Sequence, residues 1–302
     1  MTATMSFMDL TGNTYSVLMS VYGKEQAGWF QKAAESMMAQ TVFPSEFVLV
    51  CDGPLTKELD AVIEYLDARY QGILKVLRLK ENKGLGEALR QGVLLCSHEL
   101  IARMDSDDIA CPKRCEKQLE LFHNNRNLAF CSGTIAEFSD ERELYTSAKT
   151  GMRKRQLPCS HREIETFAKK RNPMNHMAVM FRKSAVLKSG NYRSVEGAED
   201  YDLWARMLMQ GFQAANLPDV LVWARIGNGM ALRRGGLRYT ARILHFQTEL
   251  LKMGFLNPFQ YMFNCCVRVP VCLMPGRFRT AFYQICLRRQ KQERTRGERI
   301  VK

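Results

Sequence analysis

A chain of 302 residues is long enough for one large domain or two modest ones, and either can bury a real core. With 46% hydrophobic and 25% charged residues, it is neither a disordered chain nor a collagen-like or mucin-like one. The formal charge of +13, taken whole, points to a partner with phosphates, either nucleic acid or an anionic membrane. Its distribution is uneven: residues 226–302 carry 15 basic and 3 acidic groups, whereas residues 1–225 carry 29 and 28.

Ten cysteines and no basic-then-apolar leader in the first twenty residues suggest reduced thiols in a cytoplasmic protein. Cys111 and Cys115 stand in C-x3-C spacing, but no second pair completes a zinc site. The longest nearly apolar stretch, 262–274, is interrupted by Asn264, Arg268 and Pro270. It falls short of the ~20 residues that spanning requires, so no transmembrane helix is predicted.

In chain order, β-rich runs at 15–22, 46–51, 73–79, 100–104 and 128–131 alternate with helical patterns at 27–40, 56–69, 86–96 and 112–124. This is the form of an α/β layer with a mainly parallel sheet, and several runs are nearly continuous in apolar residues, as doubly covered strands are. Pro112 suits a first helical position. After Gly133 the alternation stops, and 137–155 reads as an irregular excursion. Ser160-His-Arg-Glu163 opens a short helix with a capping-box pattern. A strand at 177–181, a helix at 200–210 and a strand at 220–225 follow. The expected organisation is one domain over 1–232 and a basic helical region over 233–302.

Four clusters can carry chemistry. Ala102-Arg-Met-Asp-Ser-Asp-Asp108 sets three carboxylates directly after a strand, where open α/β sheets bind ligands, and such acids can share a hard cation. The same residues also make a good turn, and Asp108 could cap the next helix. Val50-Cys-Asp-Gly-Pro54 ends another strand in a carboxylate that can accept the imide N–H of uracil or another base, or simply form a turn. Glu81-Asn-Lys-Gly-Leu-Gly-Glu87 precedes a helix start and can approach a phosphate, with Lys83 as a charge for it. It is not a dinucleotide fingerprint, because Leu89 replaces the third glycine and the motif follows the third strand. Glu199-Asp-Tyr-Asp-Leu-Trp204 places acids at a helix start, which the macrodipole favours on its own. Asp200, made more basic by Glu199 and Asp202, also suits a general base, and Asp202 is placed to pair with Arg206.

Together with Ser16-Val-Leu-Met-Ser-Val-Tyr22, these motifs resemble glycosyltransferase family 2 over residues 15–234. The details Ala102-Arg-Met-Asp-Ser-Asp-Asp108, Asn175-His-Met-Ala-Val-Met-Phe-Arg182 and Asp202-Leu-Trp-Ala-Arg-Met207 are most similar to its amylovoran-type branch, which serves exopolysaccharide and capsule assembly in bacteria. The resemblance implies a GT-A fold and an inverting, metal-dependent enzyme that uses a nucleotide sugar, UDP-linked. By the same resemblance, Ser20, Tyr22, Asp52, Lys83, Gly84, Arg103 and Asp105 border the nucleotide sugar. Asp107 would bind Mn2+ or Mg2+, and Asp200 would be the catalytic base. His176, Glu199 and Arg225 would meet the acceptor or diphosphate, and Arg233 and Arg234 could close over the diphosphate. Cys51 stands where many relatives have a second Asp, and no Gln-x-x-Arg-Trp element follows the acidic helix. The membrane helices of processive synthases are also missing from the pattern, so one sugar per encounter is expected.

Beyond Gly235 the pattern is of amphipathic helices with Arg-rich flanks. Leu237, Ile243, Leu244, Leu250 and Leu251 suggest one helical face, and Phe278, Phe282, Ile285 and Cys286 another. Such a region suits the inner face of an anionic cytoplasmic membrane, within reach of a glycan or lipid-linked acceptor, or a helical flap packed on the catalytic domain. Two other classes fit parts of the pattern. A sugar-phosphate nucleotidyltransferase would need a Gly-rich basic loop after the first strand, and Ser20-Val-Tyr-Gly-Lys24 is too poor in glycine. A basic adaptor without catalysis would bind membrane or nucleic acid, but no nucleic-acid motif accompanies the charge.

Overall fold

The computed structural model describes residues 14–145, 151–226 and 235–274. Two compact units divide the chain, Met1–Arg225 and Ile226–Lys302.

The first unit is built on nine strands in one sheet, with eight in the order β3-β2-β1-β4-β8-β6-β9-β5 and β7 on the flank of β6. Strands β1 (Tyr15–Val21), β2 (Glu46–Cys51), β3 (Leu74–Arg78) and β4 (Leu100–Met104) run parallel. β2 is buried along its whole length, which explains why residues 47–51 form an unbroken apolar run rather than an alternation. Three helices connect these strands. In α1 (Ala27–Met38) the buried residues Phe30, Ala33, Ala34, Met37 and Met38 recur at the helical period. α2 (Lys57–Arg69) starts where the Thr56 hydroxyl accepts the Leu59 N–H, and α3 (Leu85–Leu95) follows the loop after β3.

Beyond β4 antiparallel strands join the parallel framework, so the sheet is mixed, with parallel pairing still its larger part. β8 (Met180–Arg182) lies antiparallel between β4 and β6 (Leu128–Phe138), while β9 (Gln213–Arg225) runs parallel to β6. β6 extends well past the expected strand at 128–131, and β7 (Arg153–Arg155) pairs with its far end. The irregular excursion at 137–155 is therefore partly sheet. β5 (Ile109–Ala110) pairs antiparallel with Val222 and Trp223 of β9. The strand expected at 177–181 begins as a 3-10 turn, His176–Ala178, and joins the sheet only at Met180. α4 (Arg114–Asn124) starts after Lys113, leaving Pro112 outside the helix, and Asp108 caps nothing there. The capping box at Ser160 and Glu163 is present at α5 (His161–Ala168).

α6 (Lys183–Lys188) leads into α7 (Glu199–Met209). α7 is anchored by Trp204, which stacks on Phe130 with ring centroids 5.2 Å apart. Arg206 pairs with Asp202 at 2.7 Å and also donates to the carbonyls of Ser189 and Asn191. It thereby fixes the turn ahead of Tyr192.

The second unit contains α8 (Leu237–Lys252) and α9 (Pro258–Leu273), joined by an Asn264–Gln247 side-chain hydrogen bond of 3.0 Å. Leu250 is buried on α8, but Leu237 is 80% exposed, so the expected apolar face of α8 is only partly packed. No helix among the described residues is long and apolar enough to cross a membrane. The segment 275–302, with Phe278, Phe282, Ile285 and Cys286, lies outside the described residues, as do Arg233, Arg234 and the expected boundary at 232.

Candidate active site

The carboxyl ends of the parallel strands collect most of the expected residues. Ser20 is near the end of β1 and Tyr22, 38% exposed, lies just past it. Asp52 follows β2 and is 4% exposed. Its carboxylate accepts the backbone N–H groups of Lys83 at 2.7 Å and Gly84 at 3.0 Å, clamping the loop before α3. Gly53, at φ +88°, lets the chain turn there: a side chain would put its Cβ 2.6 Å from the Asn82 nitrogen. Lys83 contributes its backbone to this clamp, while its ammonium lies out at the surface, 3.7 Å from Glu81.

Asp105, Asp107 and Asp108 follow β4, and one carboxylate oxygen from each lies within 4.8 Å of the others. Burial and the neighbouring acids Asp105 and Glu25 push Asp107 up to about 6. Burial and the same aspartate cluster carry Asp108 well above the carboxylate range. Three crowded, partly desolvated carboxylates form a hard-oxygen donor set that fits Mn2+ or Mg2+. Arg103, 1% exposed, sits behind them with Nη2 2.5 Å from Asp105. Its Nε and Nη1 have no hydrogen-bond partner among the described residues.

Arg225 braces this loop from β9. Its backbone N–H donates to Asp108 at 2.7 Å, Nε to the Asp107 carbonyl at 3.0 Å and Nη2 to Glu141 at 2.8 Å. The guanidinium is sandwiched between Trp29 and Phe138, 4.6 and 4.7 Å from their ring centroids. With these donors engaged, it acts as a strut for the acidic loop.

A second cluster forms at the start of α7, where His176, Glu199 and Asp200 bring ligand atoms within 4.8 Å of one another. Asp200 accepts from the Asn172 amide at 2.5 Å and from the Tyr201 N–H at 2.7 Å. Burial raises its pKa, and those two donors oppose the rise. Glu199 is pushed up to about 7 by burial and then by Asp200. His176 is part of this constellation: Nδ1 lies 3.9 Å from Asp200 and Nε2 is 3.0 Å from the Tyr192 hydroxyl. Burial, followed by the charge of Arg103, holds it well below the usual histidine range, so it is neutral at physiological pH. Gly86 allows α3 to approach this cluster, since a Cβ there would lie 2.5 Å from the Arg193 carbonyl and 3.3 Å from Glu199 Cβ. Asn172 and Glu25, whose carboxylate accepts from Ser106 at 2.7 Å, stand in no recognisable motif. Only the tertiary fold brings them in.

The two clusters are electrostatically joined. Asp105 raises Glu199, while Arg103 lowers Asp107, Asp108, Glu199 and Asp200. An α/β layer with an acid trio at the strand ends and a buried carboxylate pair at a neighbouring helix start defines a candidate enzyme site with one side suited to a divalent cation and the other to a proton. The chain belongs to glycosyl transferase family 2, whose family model matches residues 16–187.

It is 37% identical over 275 residues to an uncharacterized glycosyltransferase of Haemophilus influenzae, covering 91% of this chain and 99% of the relative. It is 34% identical to the amylovoran biosynthesis glycosyltransferase AmsE of Erwinia amylovora, covering 89% and 98%. Identity is also 34% to the UDP-Gal:alpha-D-GlcNAc-diphosphoundecaprenol beta-1,3-galactosyltransferase of Escherichia coli, covering 91% and 97%. Among solved structures, the mannosyltransferase PcManGT from Pyrobaculum calidifontis in complex with GDP-Man and Mn2+ matches with TM-score 0.59 and 14% identity, covering 79% of this chain and 64% of that one. S. aureus TarS 1–349 in complex with UDP-GlcNAc matches with TM-score 0.57 and 18% identity, covering 79% and 66%. The fold is the GT-A type, and the chain is a family 2 glycosyltransferase.

Proposed function

We propose that the enzyme moves one sugar from a UDP-sugar to a hydroxyl of a lipid-linked or glycan acceptor, with inversion, in the assembly of a bacterial surface polysaccharide. The observation that carries this reading is the pairing of the two acid clusters, one suited to a nucleotide diphosphate and the other to a proton. In this reading Ser20, Tyr22, Asp52 and the Lys83–Gly84 backbone border the nucleoside. Asp105 faces ribose or diphosphate, and Asp107, with Asp105 and Asp108, would hold Mn2+ or Mg2+. A bound divalent cation supplies charge neutralisation for the diphosphate.

Asp200 takes the proton of the acceptor hydroxyl as its oxygen attacks the anomeric carbon. The bond to the nucleoside diphosphate breaks and its electron pair leaves with the diphosphate. The Asn172 and Tyr201 donors orient Asp200 and favour its ionised form, while neutral His176 adds no opposing charge. A second reading, with Glu199 as the base, is favoured by its pKa of about 7. Asp200→Asn and Glu199→Gln separate the two, because only the base variant abolishes transfer. The lipid-diphosphate acceptor named for the E. coli relative supports action at the inner face of the cytoplasmic membrane.

Thermal stabilisation by UDP-galactose, UDP-GlcNAc and GDP-mannose with Mn2+ tests the donor assignment. Stabilisation by a UDP-sugar supports it, and failure of every nucleotide sugar to raise Tm would remove its base.

A further inference from the structure

Helix α9 is built inside out. At 100° per residue, Phe259, Met262, Phe263, Cys266, Val267, Pro270 and Leu273 fall within an arc of about 140°. This arc faces solvent: Phe259 is 78% exposed, Phe263 60%, Met262 57%, Val267 52% and Leu273 48%. The opposite side carries the polar groups and packs inward. Asn264, 3% exposed, donates to Gln247, and the Tyr261 hydroxyl lies 3.3 Å from Thr248. Isolated exposed apolar residues are ordinary, but a continuous stripe of this kind marks an interaction surface.

We propose that this face of α9 inserts into the interfacial zone of an anionic membrane. A 16-residue helix is about 24 Å long, short of the ~30 Å hydrocarbon core, so it suits lying in the interface. α9 contains no acidic residue, and residues 226–302 hold 15 basic groups against 3 acidic ones. That charge complements an anionic leaflet, whereas two copies of the region would repel each other. The arc also contains no polar residue that could form the rim usual at a protein interface. The inference adds a named surface to the membrane location proposed above and stands on its own geometry. Its consequence for acceptor delivery rests on the lipid-linked acceptor reading.

The test uses the full chain and co-sedimentation with phosphatidylcholine vesicles, with and without phosphatidylglycerol. The wild type partitions onto the phosphatidylglycerol vesicles. The double variant Phe259→Gln, Phe263→Gln loses this partitioning by about tenfold or more, with unchanged UDP-galactose hydrolysis and unchanged Tm. In a second variant, Phe263→Trp, vesicle binding shifts tryptophan emission to the blue, and acyl-chain-brominated lipid quenches it. Undiminished vesicle binding by the double variant would overturn the proposal. So would unquenched emission from bound Phe263→Trp, or a wild-type dimer that the double variant converts to monomer. Vesicle binding that persists when Asp200→Asn abolishes transfer separates this surface from the catalytic reading.

Discussion

The guanidinium of Arg103, almost fully buried, holds one carboxylate oxygen of Asp105 at 2.5 Å while its charge also lowers the pKa of Asp200 and Glu199. One cation thus acts on both acid clusters. Arg103→Met is expected to lower kcat about 100-fold through misplacement of Asp105. Loss of the positive charge raises the pKa of Glu199 and Asp200, so the ascending limb of the pH–rate profile moves to higher pH. A lower kcat with an unmoved limb would leave Arg103 a packing role alone.

Repulsion within the acid trio predicts how the metal-free protein responds to pH. Asp107 has a pKa raised from 3.8 to about 6, so the native state binds more protons than the unfolded one. Its contribution to stability is therefore full below the unfolded value and is lost as pH rises from there through about 6, by on the order of 3 kcal/mol. Chemical denaturation across this range should show the fall in the wild type and a flatter profile in Asp107→Asn. Mn2+ at about 100 times its Kd should stabilise the wild type by about 2.7 kcal/mol at neutral pH, with a much smaller effect on the variant.

Glu46 behaves in the opposite sense. Burial alone would raise its pKa, but the Lys75 ion pair, the Ser16 hydroxyl and the Ser97 N–H and hydroxyl overcome this and hold it at about 2. Its contribution is present above the unfolded value of 4.5 and disappears as pH falls from there through about 2. Glu46→Gln should destabilise the fold by about 1–3 kcal/mol at neutral pH. The difference from wild type should narrow below pH 4.5, as read from urea midpoints.

Much of the first sheet was legible because β1, β2 and β4 are long buried runs whose apolar continuity has one explanation. The alternation α1, α2 and α3 supplies between strands carried the parallel order as far as β4. β8 and β5 were not legible in that way. Three residues of β8 and two of β5 carry no periodicity, and their direction is set by pairing with β4, β6 and β9. That pairing also brings Arg225 to the acidic loop, where it donates to Asp108 and to the Asp107 carbonyl. The acid trio and the Glu199-Asp200 pair announced themselves through spacing at element ends. Asn172, which orients Asp200 from 28 residues away, could emerge only once α5 and α7 were folded together. His176, one histidine beside a strand, acquired its meaning from Tyr192 and Asp200.

In the proposed mechanism Asp200 abstracts the acceptor proton, while Asp107 belongs to the donor side. Sugar transfer from UDP-galactose to a GlcNAc-diphospho-lipid, measured beside UDP-galactose binding in the presence of Mn2+, tests it most directly. Asp200→Asn should bind the donor like the wild type yet transfer at least about 1000-fold more slowly, and Asp107→Asn should lose Mn2+-dependent donor binding. Transfer by Asp200→Asn at the wild-type rate would show that Asp200 is not the base.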